Sequence, residues 1–159
     1  MKRFLLWLNE HFEETLSIIL LAFIVAIMGL QIFMRYVLSN SLSWPEEVSR
    51  YLFIWFVFLG ISYGIKHDVH IKVNIIESVF PKSKTLLMII QDALFLFFCV
   101  YMLRPGVNVL RRLIATGQTS PALNIYMYLV YVSLLVGFIL AIFRFIQKYF
   151  LFCKGGTVR

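Results

Sequence analysis

The sequence predicts an all-α membrane protein: four transmembrane helices, short amphipathic interfacial helices, and both termini cytoplasmic. Three observations predict it. Of 159 residues, 61% are hydrophobic and 14% charged, against about 45–50% and about 25% in a soluble domain. The apolar residues gather into four stretches, at about 15–38, 43–65, 84–104 and 122–146, each able to cross a hydrocarbon core of roughly 30 Å. The basic residues stand at or beyond the ends of those stretches. A net charge of +7 therefore orients the chain in a bilayer and does not mark a nucleic-acid binder.

Residues 3–14, RFLLWLNEHFEE, bring Phe4, Leu8, His11 and Phe12 to one face and acids to the other. That pattern predicts an amphipathic helix lying in the membrane surface. Lys2 and Arg3 are followed by acids, the apolar run is too long, and no small-x-small site ends it, so a cleavable signal is not expected. The first span follows and is free of charge up to Arg35.

The second span carries charges at its mouth, in SLSWPEEVSRYLFIW. Tyr51 to Ile65 rises only about 22 Å, too short to cross alone. Starting at Ser43 the helix reaches about 34 Å, and its first turns stand among the lipid headgroups. Ser43 suits an N-cap with Glu46 three residues on, and Pro45 in the first turn has no intrahelical donor to lose. Glu46 and Glu47 complement the positive helix end, and Arg50 is spaced to pair with both. A charged helix start held at the interface explains all three residues without chemistry. Gly60 and Gly64 read as helix-packing positions.

The third span holds Asp92 beside Gln91, about 10 Å along its length. A carboxylate at that depth is costly alone, so it is expected to be protonated, paired or turned to a polar cavity. A contact to a neighbouring helix is the favoured reading over a proton relay, because Gln31, Ser62, Ser133 and Asn124 make few further members. Arg104-Pro105-Gly106 is expected to end or kink this span. VNVLRRLIA would then form a short surface helix with Arg111 and Arg112 outward. Gly117 to Pro121 reads as a turn, Tyr126, Tyr128 and Tyr131 as an aromatic belt, and RFIQKYFLFCK as a helical continuation into the interface. No repeat or soluble domain interrupts the chain, which is expected to be one membrane domain over residues 1–159.

Ten lysines and arginines lie on the side of the N-terminus, second loop and C-terminus, against Arg35, Arg50, Arg104, Arg111 and Arg112 on the other. The positive-inside rule places both termini in the cytoplasm.

Chemistry-bearing constellations are sparse. His67, Asp68 and His70 share a loop with lysines but lack the ligand number and spacing of a zinc site, so a solvated or docked loop is expected and no metal. Histidines flank the spans, which disfavours a haem between helices. Cys99 and Cys153 form neither a disulfide framework nor a redox pair. No nucleophile–base set, acid dyad or phosphate loop points to an enzyme, and no cofactor is expected in this chain. Broken helices in two matching halves, the mark of a transport path, are also missing. What remains is aromatic, apolar surface fit to be covered by another membrane protein.

The order Arg35-Tyr36, Ser43-Trp44-x-Glu46-Glu47, Arg50-Tyr51, Trp55, Phe58-Leu59-Gly60, His70-Ile71-x-Val73 and Thr119-x-Pro121-Ala122-Leu123 resembles the small permease subunit of tripartite ATP-independent periplasmic (TRAP) transporters. Asn74 departs from the pattern, where the family often has an aspartate. The resemblance implies a bacterial inner-membrane protein and a large membrane subunit that carries the sodium and substrate sites. It also implies a periplasmic binding protein that delivers organic acids of the sialic acid or C4-dicarboxylate type. The small subunit would brace its neighbour, with membrane lipids as further partners. Arg35, Trp44, Glu46, Glu47, Arg50, Trp55, His70 and Asp92 are the candidate interface or helix-start residues. The rival reading is a self-sufficient homo-oligomeric channel or exporter, with Asp92 and Gln31 around a shared water-filled path.

Overall fold

The computed structural model describes residues 2–66 and 84–153, with side chains placed over 11–66 and 89–150. These residues form four helices: α1 (Lys2–Tyr36), α2 (Trp44–Lys66), α3 (Lys84–Thr116) and α4 (Met127–Cys153). Each contains a stretch long and apolar enough to cross a membrane. At 1.5 Å per residue they measure about 52, 34, 50 and 40 Å, so α1, α3 and α4 extend past the hydrocarbon.

Their order in space is not their order in sequence. α1 packs on α2, α2 on α4, and α4 on α3, which makes a row with α1 and α3 at its edges. The core gathers around α4. Ile65 of α2, Cys99 of α3 and Phe138, Ala141 and Phe145 of α4 are buried there. Phe138 stands edge-on to both Phe58 and Phe98, with ring centroids 5.8 and 6.0 Å apart. Lipid is as apolar as these side chains, so close van der Waals fit holds the helices together more than burial from water.

Glycine sets two of the closest approaches. A Cβ on Gly137 would stand 2.7 Å from the Phe58 Cβ and 2.8 Å from the Phe58 carbonyl oxygen, and one on Gly106 2.9 Å from Leu134 and Leu135. Gly60, expected to pack, faces open space, with nothing within 4 Å of an added Cβ.

The continuity of the helices corrects several expectations. The amphipathic segment at 3–14 is not a separate surface helix; it forms the first turns of α1. Glu13, placed on the polar side by its local pattern, is buried, whereas Phe12 is exposed. Of the two outcomes expected at Arg104-Pro105-Gly106, an end or a kink, the end does not occur: the third helix runs through Pro105 to Thr116. Proline removes one hydrogen bond, but stopping there would free several backbone groups near the hydrocarbon. VNVLRRLIA is thus the end of α3, with Arg111 and Arg112 exposed as expected. The fourth helix begins at Met127 and not at 122, because residues 117–126 fold into a turn of their own.

Candidate functional site

The charged start of α2 and the 117–126 turn meet at one end of the helices. Ser43 stands directly before α2, in the N-cap position, and Pro45 is buried in the first turn. Arg50 pairs with Glu46 at 3.0 Å, both side chains about two-thirds exposed (67% and 65%). It does not share itself with Glu47, as spacing alone suggested. Glu47 accepts hydrogen bonds from the Tyr51 hydroxyl and, at 2.9 Å, from the backbone N–H of Ala122. One carboxylate thereby fastens the start of α2 to a loop 75 residues away.

That loop is folded tightly enough to be held. Gly117 takes φ 61° just past the end of α3, where a left-handed residue closes a helix without a Cβ penalty. Thr119 bridges to Tyr126 in antiparallel fashion, and the Ser120 N–H donates to the Ile125 carbonyl at 2.9 Å. The Ser120 hydroxyl accepts from the Ile125 N–H at 3.2 Å, and Asn124 supplies a second left-handed turn at φ 54°. Asparagine tolerates that conformation better than most residues.

Between the loop, α2 and α4 lies a cleft of about 760 Å³. Glu46, Glu47, Arg50 and Gln118 line its charged and polar part, and Ile54, Phe58, Val130 and Leu134 its apolar part. Glu46 to Phe58 covers about 18 Å of α2.

At the other end α4 carries two ion pairs. Glu13 of α1, nearly inaccessible at 1% exposure, accepts from Arg144 Nε at 2.8 Å and from the Ser62 hydroxyl of α2 at 2.7 Å. Arg144 also donates to Gln147 at 2.6 Å. One turn further along, Lys148 donates to Asp92 of α3 at 2.8 Å and Tyr149 to the same oxygen at 3.0 Å. Asp92 therefore makes the contact to a neighbouring helix that its depth demanded. The Glu13–Arg144 pair went unread in the sequence, because local amphipathicity assigned Glu13 to water. The available signal was the spacing of Glu13, Ser17, Leu20, Ile24, Ile27, Gln31 and Met34, a 4-3 repeat that continues the buried side of α1 through Glu13.

The remaining candidates are scattered. Arg35 lies over the Tyr36 ring at 5.9 Å at the exposed end of α1. Trp44 and Trp55 are half-buried on α2, and neither lines the cleft. His70, with His67 and Asp68, lies outside the described residues. Gln31 is half-buried on α1, far from Asp92, which α4 holds on the opposite edge of the row. Among the described residues no three His, Cys, Asp or Glu side chains gather as metal ligands would. Among the described residues these polar contacts fasten one helix to another or to the 117–126 turn.

Residues 24–154 match the family described as tripartite ATP-independent periplasmic transporters, DctQ component. The chain is 30% identical over 148 residues to the isethionate TRAP transporter permease protein DctMQ of Oleidesulfovibrio alaskensis, covering 89% of this chain and 23% of that one. It is 29% identical to the C4-dicarboxylate TRAP transporter small permease protein DctQ of Rhodobacter capsulatus, over 74% of this chain and 52% of the relative. With the sialic acid TRAP transporter small permease protein SiaQ of Vibrio cholerae it shares 24% identity, over 89% and 81%. The chain thus spans about a quarter of the first of these and about half of the second.

Proposed function

This chain belongs to the DctQ component family of tripartite ATP-independent periplasmic transporters, and from that membership we propose that it braces a larger permease and carries no transport site of its own. Its place is the bacterial inner membrane, which it crosses four times with both termini in the cytoplasm. The larger permease holds the sodium and substrate sites, and a periplasmic binding protein supplies the solute. The solute is an organic acid of the sialic acid or C4-dicarboxylate type.

One observation carries the reading. Among the described residues the charges that the helices enclose are paired with one another, Glu13 with Arg144 and Asp92 with Lys148. A conduit for an anion or a cation needs a continuous row of unspent polar groups along its wall; the partnerless Glu13 Oε2, Ser17 Oγ and Gln31 Oε1 on α1 are interrupted by Leu20, Ile24 and Ile27. The long apolar faces of the edge helices α1 and α3 meanwhile face outward; along its most apolar 18 residues α1 has no fully buried side chain, only the half-buried row that meets α2. A scaffold can use both features.

The test is uptake by proteoliposomes under a sodium gradient, with the binding protein and solute outside. The full assembly should accumulate the organic acid; this chain alone should not, and neither should the larger permease without it. Uptake by this chain alone would establish the homo-oligomeric alternative. Unimpaired uptake by the larger permease alone would remove the bracing role.

A further inference from the structure

We infer that the cleft between α2, α4 and the 117–126 turn binds a zwitterionic glycerophospholipid of the phosphatidylethanolamine class. The polar part of the cleft carries one exposed charge of each sign, joined to each other by a single contact that leaves the second carboxylate oxygen and the other guanidinium N–H groups open. Glu46 and Arg50 stand 3.0 Å apart with both side chains open to the outside, so the carboxylate can meet an ammonium while the guanidinium meets a phosphate. In an ethanolamine headgroup those two groups are separated by two carbons. Glu47 does not compete, because its oxygens are held by Tyr51 and by the Ala122 N–H.

Further in, the lining changes character. Ile54, Phe58, Val130 and Leu134 line it together with Ser133 and the Tyr131 ring, and the Ser133 hydroxyl proton is spent on the Val130 carbonyl at 2.6 Å. A peptide strand lying there would strand its amides without partners, at a cost of several kcal/mol per group in an apolar medium. An acyl chain has no such amides. The volume of about 760 Å³ falls in the range of roughly 300–1,000 Å³ that encloses small organic ligands. The position also fits, since the first turns of α2 stand at headgroup level while Phe58 lies about 18 Å further in. An anionic lipid would satisfy Arg50 and leave Glu46 facing like charge, so ethanolamine is preferred to glycerol as the headgroup.

The experiment is native mass spectrometry of the full chain, delipidated and then titrated with phosphatidylethanolamine or phosphatidylglycerol of identical acyl chains. The unchanged protein should retain one phosphatidylethanolamine about tenfold more tightly than phosphatidylglycerol, the size of one charge-assisted hydrogen bond. Arg50→Gln should weaken both lipids about tenfold. Glu46→Gln should remove the preference and leave the phosphatidylglycerol affinity as it was or higher. Both positions are exposed, so helix content by circular dichroism should stay the same in each variant. As a third arm, Ile54→Trp fills the apolar part and should lower retention of both lipids. Equal retention of the two lipids by the unchanged chain, or unchanged selectivity in Glu46→Gln, would overturn the assignment. So would photo-crosslinks from position 122 that reach a polypeptide of the assembled transporter and no lipid.

Discussion

At residue scale the Glu13–Arg144 pair has the largest expected consequence. Both side chains are almost wholly enclosed, at 2% and 6% exposure, and the Ser62 hydroxyl shares the carboxylate. Removing one partner strands the other charge inside the protein, which costs about 3–5 kcal/mol where it has been measured. Arg144→Ala should therefore lower the unfolding midpoint in detergent or nanodiscs sharply, and Arg144→Lys should recover part of the loss. The double variant Glu13→Gln/Arg144→Gln should be less damaging than either charge removal alone, since it buries no unpaired charge; a double loss equal to the sum of the singles would mean the two residues act independently. Asp92→Asn should be milder, because Tyr149 can still donate to the amide oxygen in place of the carboxylate. Of these contacts only Asp92 could be anticipated from the chain. Its cost was visible in a single span, whereas Glu13 finds its partner 131 residues on, beyond the reach of any local pattern.

Among elements, α2 shows what sequence spacing can and cannot settle. The start at Ser43, the proline in the first turn and the Glu46–Arg50 pair all follow from i, i+3 and i, i+4 geometry, and all hold. The partner of Glu47 does not follow, because it depends on where the 117–126 turn comes to rest. Gly60 was misplaced as a packing glycine for the same reason. It sits in the span where a close neighbour was expected, yet a tight contact is made instead by Gly137 against the backbone of Phe58. Backbone cannot give way as a flexible side chain can. Gly137→Leu should thus force α2 and α4 apart and lower thermal stability by several kcal/mol, in the range of severe core overpacking, while Gly60→Leu should leave the stability of the isolated chain unchanged. Comparable melting of both variants would contradict that distinction. α3 teaches a related lesson: Pro105 is a helix breaker by local rule, but a break near the hydrocarbon would cost more than the hydrogen bond it forgoes.

For the whole molecule the question is whether four helices in a row are stable as a row. Hydropathy revealed the number of spans, since apolar runs of membrane length are a one-dimensional signal; it carries no information on which helices touch. The arrangement follows from α4, which takes α1 through Arg144, α3 through Lys148 and Tyr149, and α2 through Gly137. Because α4 lies between α2 and α3, the edges α1 and α3 are kept apart and their outer faces stay free for lipid or for a larger neighbour. Paired cysteines test this directly, in a chain with Cys99 and Cys153 replaced by serine. Phe58→Cys with Phe138→Cys, and Phe95→Cys with Phe145→Cys, at ring pairs 5.8 and 5.9 Å apart, should join efficiently through a short bismaleimide. Ala26→Cys with Phe97→Cys, linking α1 to α3, should not join within one chain, and any product should run at twice the monomer mass. An efficient link between those two within the monomer would mean that the helices close into a bundle, leaving far less outer surface for a partner than the bracing role requires.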